Sequence, residues 1–129
     1  MIVLITGATS GIGKSTAELF AKNGNTLIIT GRREERLKEV KERLEREYKV
    51  KVHALCFDIR NNAEVTHAIE SIPADLKNID VLVNNAGLAA GLSTIQDGSL
   101  THWERMIDTN IKGLLYITKL VSNLMIQNK

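Results

Sequence analysis

Residues 2–16 read Ile2-Val3-Leu4-Ile5-Thr6-Gly7-Ala8-Thr9-Ser10-Gly11-Ile12-Gly13-Lys14-Ser15-Thr16, and they decide the fold. The opening run is apolar and β-branched, the pattern of a strand buried on both faces of a parallel sheet. Gly7, Gly11 and Gly13 punctuate the loop that follows, and a helical pattern continues through Ala17, Leu19, Phe20 and Ala21. Strand, glycine loop and helix in succession bring a phosphate to a helix N-terminus. Backbone N–H groups there lack partners and the helix dipole favours negative charge. A side chain would obstruct a loop folded tightly under a pyrophosphate. The stretch is a nucleotide-binding signature.

Locally, it can be parsed in two ways. The spacing G-x-x-x-G-x-G differs from the common dinucleotide fingerprint G-x-G-x-x-G. Taken from Ala8, the pattern Ala-x-x-x-x-Gly13-Lys14-Ser15 meets a P-loop at every position except the first glycine. A P-loop also needs an acid at the end of a neighbouring apolar strand, and Ala54-Leu55-Cys56-Phe57-Asp58 offers one.

Composition narrows the class. With 129 residues, 43% hydrophobic and 25% charged, the chain is one globular domain large enough to bury a core. A net charge of +2 gives no reason to expect a nucleic-acid or membrane partner. The short apolar start lacks a basic leader, so no signal peptide is expected, and no run has the length of a membrane span. The single cysteine, Cys56, excludes an intrachain disulfide and suits a cytoplasmic location. Its apolar strand context predicts a buried, inert thiol. His53, His67 and His102 are too far apart to form a metal motif and are expected at the surface or in helix packing.

Along the chain, Asn23-Gly24-Asn25 stops the first helix and Thr26 to Thr30 forms a second strand. Residues 34–48 predict a charged amphipathic helix with Leu37, Val40, Leu44 and Tyr48 on one stripe. Glu34–Lys38, Glu39–Arg43 and Glu42–Arg46 are spaced to pair across its turns. A third strand is expected over 50–57, a short helix over 61–71 and a fourth strand over 79–83. A glycine-containing loop then leads to helix from about residue 100 to 127, bent near Asn110 and Gly113. Strands alternating with helices at this spacing mean right-handed βαβ units and a parallel α/β sheet. The order is 3-2-1-4, with helices on both faces and a crevice between the first and fourth strands.

These motifs together resemble the short-chain dehydrogenase/reductase family, specifically its N-terminal cofactor-binding half. The family's T-G-x-x-x-G-I-G is similar to Thr6 through Gly13 without departure, and its N-N-A-G to Asn84-Asn85-Ala86-Gly87. Its adenine-contacting acid corresponds to Asp58, and its catalytic asparagine, in N-x-x-G, to Asn110 before Gly113. The P-loop parse explains none of the later motifs. Gly31-Arg32-Arg33, Ile79 to Ala89 and Trp103 to Gly113 look closest to bacterial NADP-dependent 3-hydroxy acid (serine-type) dehydrogenases. The resemblance implies cofactor contacts at Gly7, Thr9, Ser10, Gly11, Ile12, Gly13, Asp58, Asn84, Ala86 and Gly87. It also implies a small-molecule substrate, a hydroxy acid or alcohol.

Charge decides between cofactors. Folds that prefer NAD place an acid at the end of the second strand to bind the ribose 2′-OH. Here Thr30-Gly31 is followed by Arg32 and Arg33, whose guanidinium groups suit a 2′-phosphate. NADP is therefore favoured over NAD. Against this, the two arginines also read as solvated residues ahead of a charged helix.

One element of the family is missing. Its proton chemistry uses Tyr-x-x-x-Lys with a serine, yet Tyr48 is followed four residues later by Val52 and Tyr116 by Leu120. Asn110 is the only matching member of the catalytic set. The chain is thus expected to be a dinucleotide-binding domain incomplete at its C-terminal side, inactive alone, with the tyrosine tens of residues beyond Lys129. The alternative is a stand-alone, non-catalytic nucleotide-binding or interaction module. Leu114, Leu115, Ile117, Leu120, Val121, Leu124 and Met125 spread over more than one helix face, which predicts a homo-oligomer, in the first place a dimer through this helix.

Overall fold

A computed structural model describes residues 1–128. Four strands alternate with helices: β1 (Ile2–Ile5), α1 (Gly11–Lys22), β2 (Thr26–Gly31), α2 (Glu34–Tyr48), β3 (Val52–Cys56), α3 (Asn62–Glu70) and β4 (Val81–Val83). Helix α4 (Leu100–Ile107), a π-helical segment (Asp108–Gly113) and α5 (Leu114–Gln127) complete the described chain. All strand pairings are parallel and the order is β3-β2-β1-β4, as the sequence predicts. Val3 aligns with Leu27 on one side and with Val81 on the other, so β1 is central.

The unbroken apolar run of β1 follows from its two covered faces. Val3 and Ile5, with Leu27 and Ile29 of β2, pack beneath α1 and α2 against Ala17, Ala21, Leu37, Val40 and Leu44. Leu4 and Ile28 point the other way, into a core that includes Val65 and Ile69 of α3 and Ile117 and Val121 of α5. Leu4, Ile5, Leu27, Ile28 and Ile29 are wholly inaccessible to solvent. Each such side chain contributes about 1.5–3 kcal/mol relative to exposure. This two-sided burial holds the C-terminal ends of β1 and β2 rigid, and the site is built there.

The structure corrects several expectations. Helix α1 begins at Gly11, earlier than the apolar periodicity shows, so two of the loop glycines lie inside its first turn. The outer strands are shorter than expected, at Val52–Cys56 and Val81–Val83, because each has a hydrogen-bonded neighbour on one side only among the described residues. Cys56 is exposed rather than buried. It ends the edge strand β3 and opens onto a groove beside α3. What cover it has, with the Glu34 and Glu64 carboxylates, pushes its thiol pKa up.

On α2 the predicted pairs Glu34–Lys38, Glu39–Arg43 and Glu42–Arg46 do not form among the described residues. Lys41–Glu45 (3.5 Å) and Arg43–Glu47 (3.6 Å) form instead, and Arg43 also reaches across to Glu18 of α1. The final helical stretch runs from Leu100 to Gln127 and carries a π-helical segment, Asp108–Gly113, at the place where the sequence predicts a bend. Within α5, Ile117 and Val121 are buried, while Leu114, Leu115 and Ile126 remain exposed, so its apolar residues do occupy more than one face. No helix among the described residues is long and apolar enough to cross a membrane.

Candidate functional site

The strands end at a cleft of about 330 Å³ on the C-terminal side of the sheet. It lies between the ends of β1 and its neighbours, where the strand order reverses as the chain passes from β3 back to β4, the position at which open α/β sheets bind ligands. Thr6 and Asn85 assemble its floor. The Thr6 Oγ1 accepts hydrogen bonds from the backbone N–H groups of Asn85 (3.0 Å) and Ala86 (2.9 Å). In return, the Asn85 Nδ2 donates to the carbonyls of Thr6 (3.2 Å) and Gly7 (3.0 Å). Ala8 N–H donates to the Thr30 carbonyl at 3.0 Å, which ties the loop to β2. The glycine loop is therefore clamped from both neighbouring strands.

Two glycines of the loop have distinct physical reasons. A Cβ on Gly13 would stand 2.2 Å from the Gly7 carbonyl oxygen and 2.3 Å from Asn85 Nδ2, so the helix comes too close for any side chain. Gly11 has nothing within 4 Å of such a Cβ, but its φ of +56° is the left-handed conformation that glycine adopts freely. Ser10 precedes α1 without capping it through its side chain, and the first turn holds no acidic residue. Free N–H groups and the positive end of the dipole thus face open space, as a pyrophosphate requires. The residues present fit a dinucleotide.

The candidate residues fall into three groups. Gly7, Thr9, Ser10 and Ile12 line the cleft from the glycine loop, and Ala86 and Gly87 line it from the end of β4. Arg32, Arg33 and Asp58 line it from the ends of β2 and β3. Gly11, Gly13, Asn84 and Asn110 do not line it. Asn84 points away, its Nδ2 donating to Thr118 Oγ1 of α5 at 3.0 Å. Asn110 makes a two-way bond with one residue. Its Oδ1 accepts from the Leu88 N–H (2.8 Å) and its Nδ2 donates to the Leu88 carbonyl (2.9 Å). The π-helical widening carries Asn110 and couples α4 and α5 to the loop after β4, and the adjacent Thr109 reaches the cleft.

Contributors absent from the candidate set include Thr6, Asn85 and Thr109, besides the lining residues Thr30, Gly31, Phe57, Ile59 and Leu88. The first two stand inside motifs legible in sequence, whereas Thr109 carries no sequence signal of its own. Two features of the charges stand out. Arg32 and Arg33 have no carboxylate within 4.0 Å among the described residues, so both guanidinium groups are free. Asp58, by contrast, is held by Arg60, whose hydrogen bonds keep the carboxyl below its ordinary pKa and so ionised. Among the described residues no group of three His, Cys, Asp or Glu is placed to hold a metal.

This fold and this site define the class. The family model for short chain dehydrogenases matches residues 1–129, and the chain belongs to that family. It is 49% identical over 121 residues to the NADP-dependent 3-hydroxy acid dehydrogenase YdfG of Salmonella typhi, an alignment covering 94% of this chain and 47% of that protein. The crystal structure of serine dehydrogenase from Escherichia coli superposes with a TM-score of 0.91 at 45% identity, over 98% of this chain and 57% of that one. The closed form of serine dehydrogenase complexed with NADP+ superposes with a TM-score of 0.88 at 46% identity, over 98% of this chain and 50% of that one. The chain spans about half the length of the curated relatives it matches.

Proposed function

We propose that this chain is the cofactor-binding part of an NADP-dependent oxidoreductase that interconverts a small hydroxy acid or alcohol with its carbonyl compound. The observation that carries the reading is the pair of unpartnered guanidinium groups, Arg32 and Arg33, on the rim of a cleft with a glycine-loop floor. No acid stands at the end of β2 to receive a ribose 2′-OH. Gly11, Ile12 and Gly13 would present N–H groups to the pyrophosphate, Arg32 and Arg33 would take the 2′-phosphate, and Asp58, its carboxylate engaged by Arg60, would stand beside the adenine. Ala86 and Gly87 would face the nucleoside portions, with Asn84 outside direct contact. The bound nicotinamide would supply or accept the hydride. The substrate class follows the hydroxy acid and serine dehydrogenases that the chain is similar to. The cytoplasm, with its reduced thiols and NADP(H), is the proposed location.

Asn110 is held on the Leu88 backbone, and no tyrosine is followed by a lysine four residues on. A positioned general acid–base contributes about 10²–10⁴-fold. The purified 129-residue chain is therefore expected to bind NADPH, seen as a change in nicotinamide fluorescence, but to reduce no NADP+ with 3-hydroxy acids or serine. Turnover that copurifies with it and disappears in Asn110→Ala would overturn this. Failure to bind NADPH would overturn the cofactor assignment itself.

The exposed apolar side chains of the last helical run support association through it. Leu114 and Leu115 of α5, with Ile107 and Ile111 just before it, are all more than a third exposed. Burying a handful of such side chains, each worth about 1.5–3 kcal/mol, is enough to hold two copies together. At micromolar concentration the chain is expected to sediment as a dimer, and Leu115→Lys to shift it towards monomer. A wild-type chain that sediments as a monomer rules the association out.

A further inference from the structure

Asp58 and Arg60 form the tightest polar contact near the cleft, yet only Asp58 lines it. Arg60 Nε donates to both carboxylate oxygens of Asp58, at 3.0 and 3.1 Å, and its NH2 group donates to Oδ2 at 2.7 Å. The Arg60 backbone N–H adds a fourth bond to Oδ1 at 3.0 Å. The loop that carries them is itself fixed. Asp58 N–H donates to Glu64 Oε1 (3.3 Å), and Glu64 N–H donates to the Asn61 side chain capping α3 (3.1 Å). Asp108, the other acidic group near Arg60, is paired with Lys112 at 3.2 Å.

Arg32 is the cation next in line for Asp58. Gly31 pairs with Cys56 in the β2–β3 register, and Phe57 N–H donates to the Gly31 carbonyl at 3.1 Å, so the residues that follow leave adjacent strand ends together. Both side chains line the same cleft, and the Arg32 charge already contributes to keeping Asp58 ionised. Yet Arg32 makes no ion pair among the described residues, whereas Asp58 is saturated by Arg60. A carboxylate on the rim is a competitor for any guanidinium meant to receive a phosphate. It also repels that phosphate directly.

We propose that Arg60, from outside the cleft, sets the preference for a 2′-phosphorylated dinucleotide by occupying the Asp58 carboxylate and so leaving Arg32 unpaired. This rests on the reading of the cleft as an NADP site and assigns Arg60 a positioning role within it. The planar fork of Arg60 suits this task, because it engages both oxygens at once, which a lysine ammonium cannot do with the same geometry. Without that side chain, Asp58 keeps only the backbone N–H bond to Oδ1, and Oδ2 is left free as an anion on the rim.

The test is a set of titrations of the 129-residue chain with NADPH and with NADH at low ionic strength. Arg60→Gln is expected to weaken NADPH about fivefold, the scale of one exposed ion pair, and to change NADH less than about twofold. Arg60→Lys is expected to fall between the two. The deciding variant is the double one, Asp58→Asn with Arg60→Gln. With no carboxylate left to compete, its NADPH affinity is expected to match that of Asp58→Asn alone. Equal loss for both nucleotides in Arg60→Gln, or a double variant as much weaker than Asp58→Asn as Arg60→Gln is than wild type, would show a merely structural role. No change in Arg60→Gln overturns the proposal while leaving the NADP site intact. A wild-type chain that binds neither nucleotide overturns the parent reading, and this one with it.

Discussion

Gly13→Ala is expected to abolish dinucleotide binding and to lower the thermal midpoint by about 10 °C, even though it adds one methyl group. The new Cβ would meet the Gly7 carbonyl oxygen at 2.2 Å and Asn85 Nδ2 at 2.3 Å. The first of these is backbone, clamped by the hydrogen bond from Asn85, and cannot swing aside. Either α1 moves away from the loop or the Asn85–Gly7 bond breaks. Overpacking of this kind costs about 1–3 kcal/mol, and a lost hydrogen bond adds about 1 kcal/mol. The loss of affinity exceeds the loss of stability, because the N–H groups of Gly11 to Gly13 must converge on one phosphate. Gly11→Ala is the control. It meets no atom within 4 Å, but its φ of +56° strains an L-residue by about 1–2 kcal/mol, so it should destabilise without obstructing the loop. A differential scan with and without NADPH separates the two. A Gly13→Ala chain with the wild-type midpoint and wild-type affinity would refute the close approach.

Removing both guanidinium groups in Arg32→Ala/Arg33→Ala is expected to weaken NADPH by about 100-fold or more and NADH by less than about threefold. Hydrogen bonds to a charged group contribute about 1.5–3 kcal/mol each, and two arginines are available to one dianionic phosphate. The phosphate is the only difference between the two cofactors, so the ratio of their affinities isolates the contact. The arginines make no ion pair in the fold among the described residues, and their removal should leave the thermal midpoint nearly unchanged. Equal loss for both nucleotides in a calorimetric titration would mean that the arginines shape the cleft instead of reading the phosphate. The preference should also shrink as salt is raised, since both side chains lie on an open rim.

What the sequence determined by itself was everything with a local period or a local steric requirement. Alternating strands and helices of the right lengths admit one handedness of crossover, and the order β3-β2-β1-β4 followed without any contact being known. The α2 boundaries, 34–48, were legible to the residue because the Leu37, Val40 and Leu44 stripe and the charged face both begin and end there. The glycine spacing pointed to the cleft, and the absence of an acid after β2 to the cofactor proposed for it. Tertiary structure alone decided which neighbours those elements would have. Of two adjacent asparagines, Asn85 turns to the glycine loop and Asn84 to Thr118, a choice set by how β4 registers against β1. Cys56 lies in an apolar run yet is exposed, because it ends the edge strand β3 and opens onto the groove beside α3. Arg43 abandons the expected Glu39 for Glu18 of another helix and Glu47 of its own. Arg60 captures Asp58 through a loop whose shape depends on Glu64 of α3. Periodicity fixes what an element is and which face it buries. The partner of a polar side chain depends on which backbone lies opposite, and that is known only once the sheet and its helices have packed.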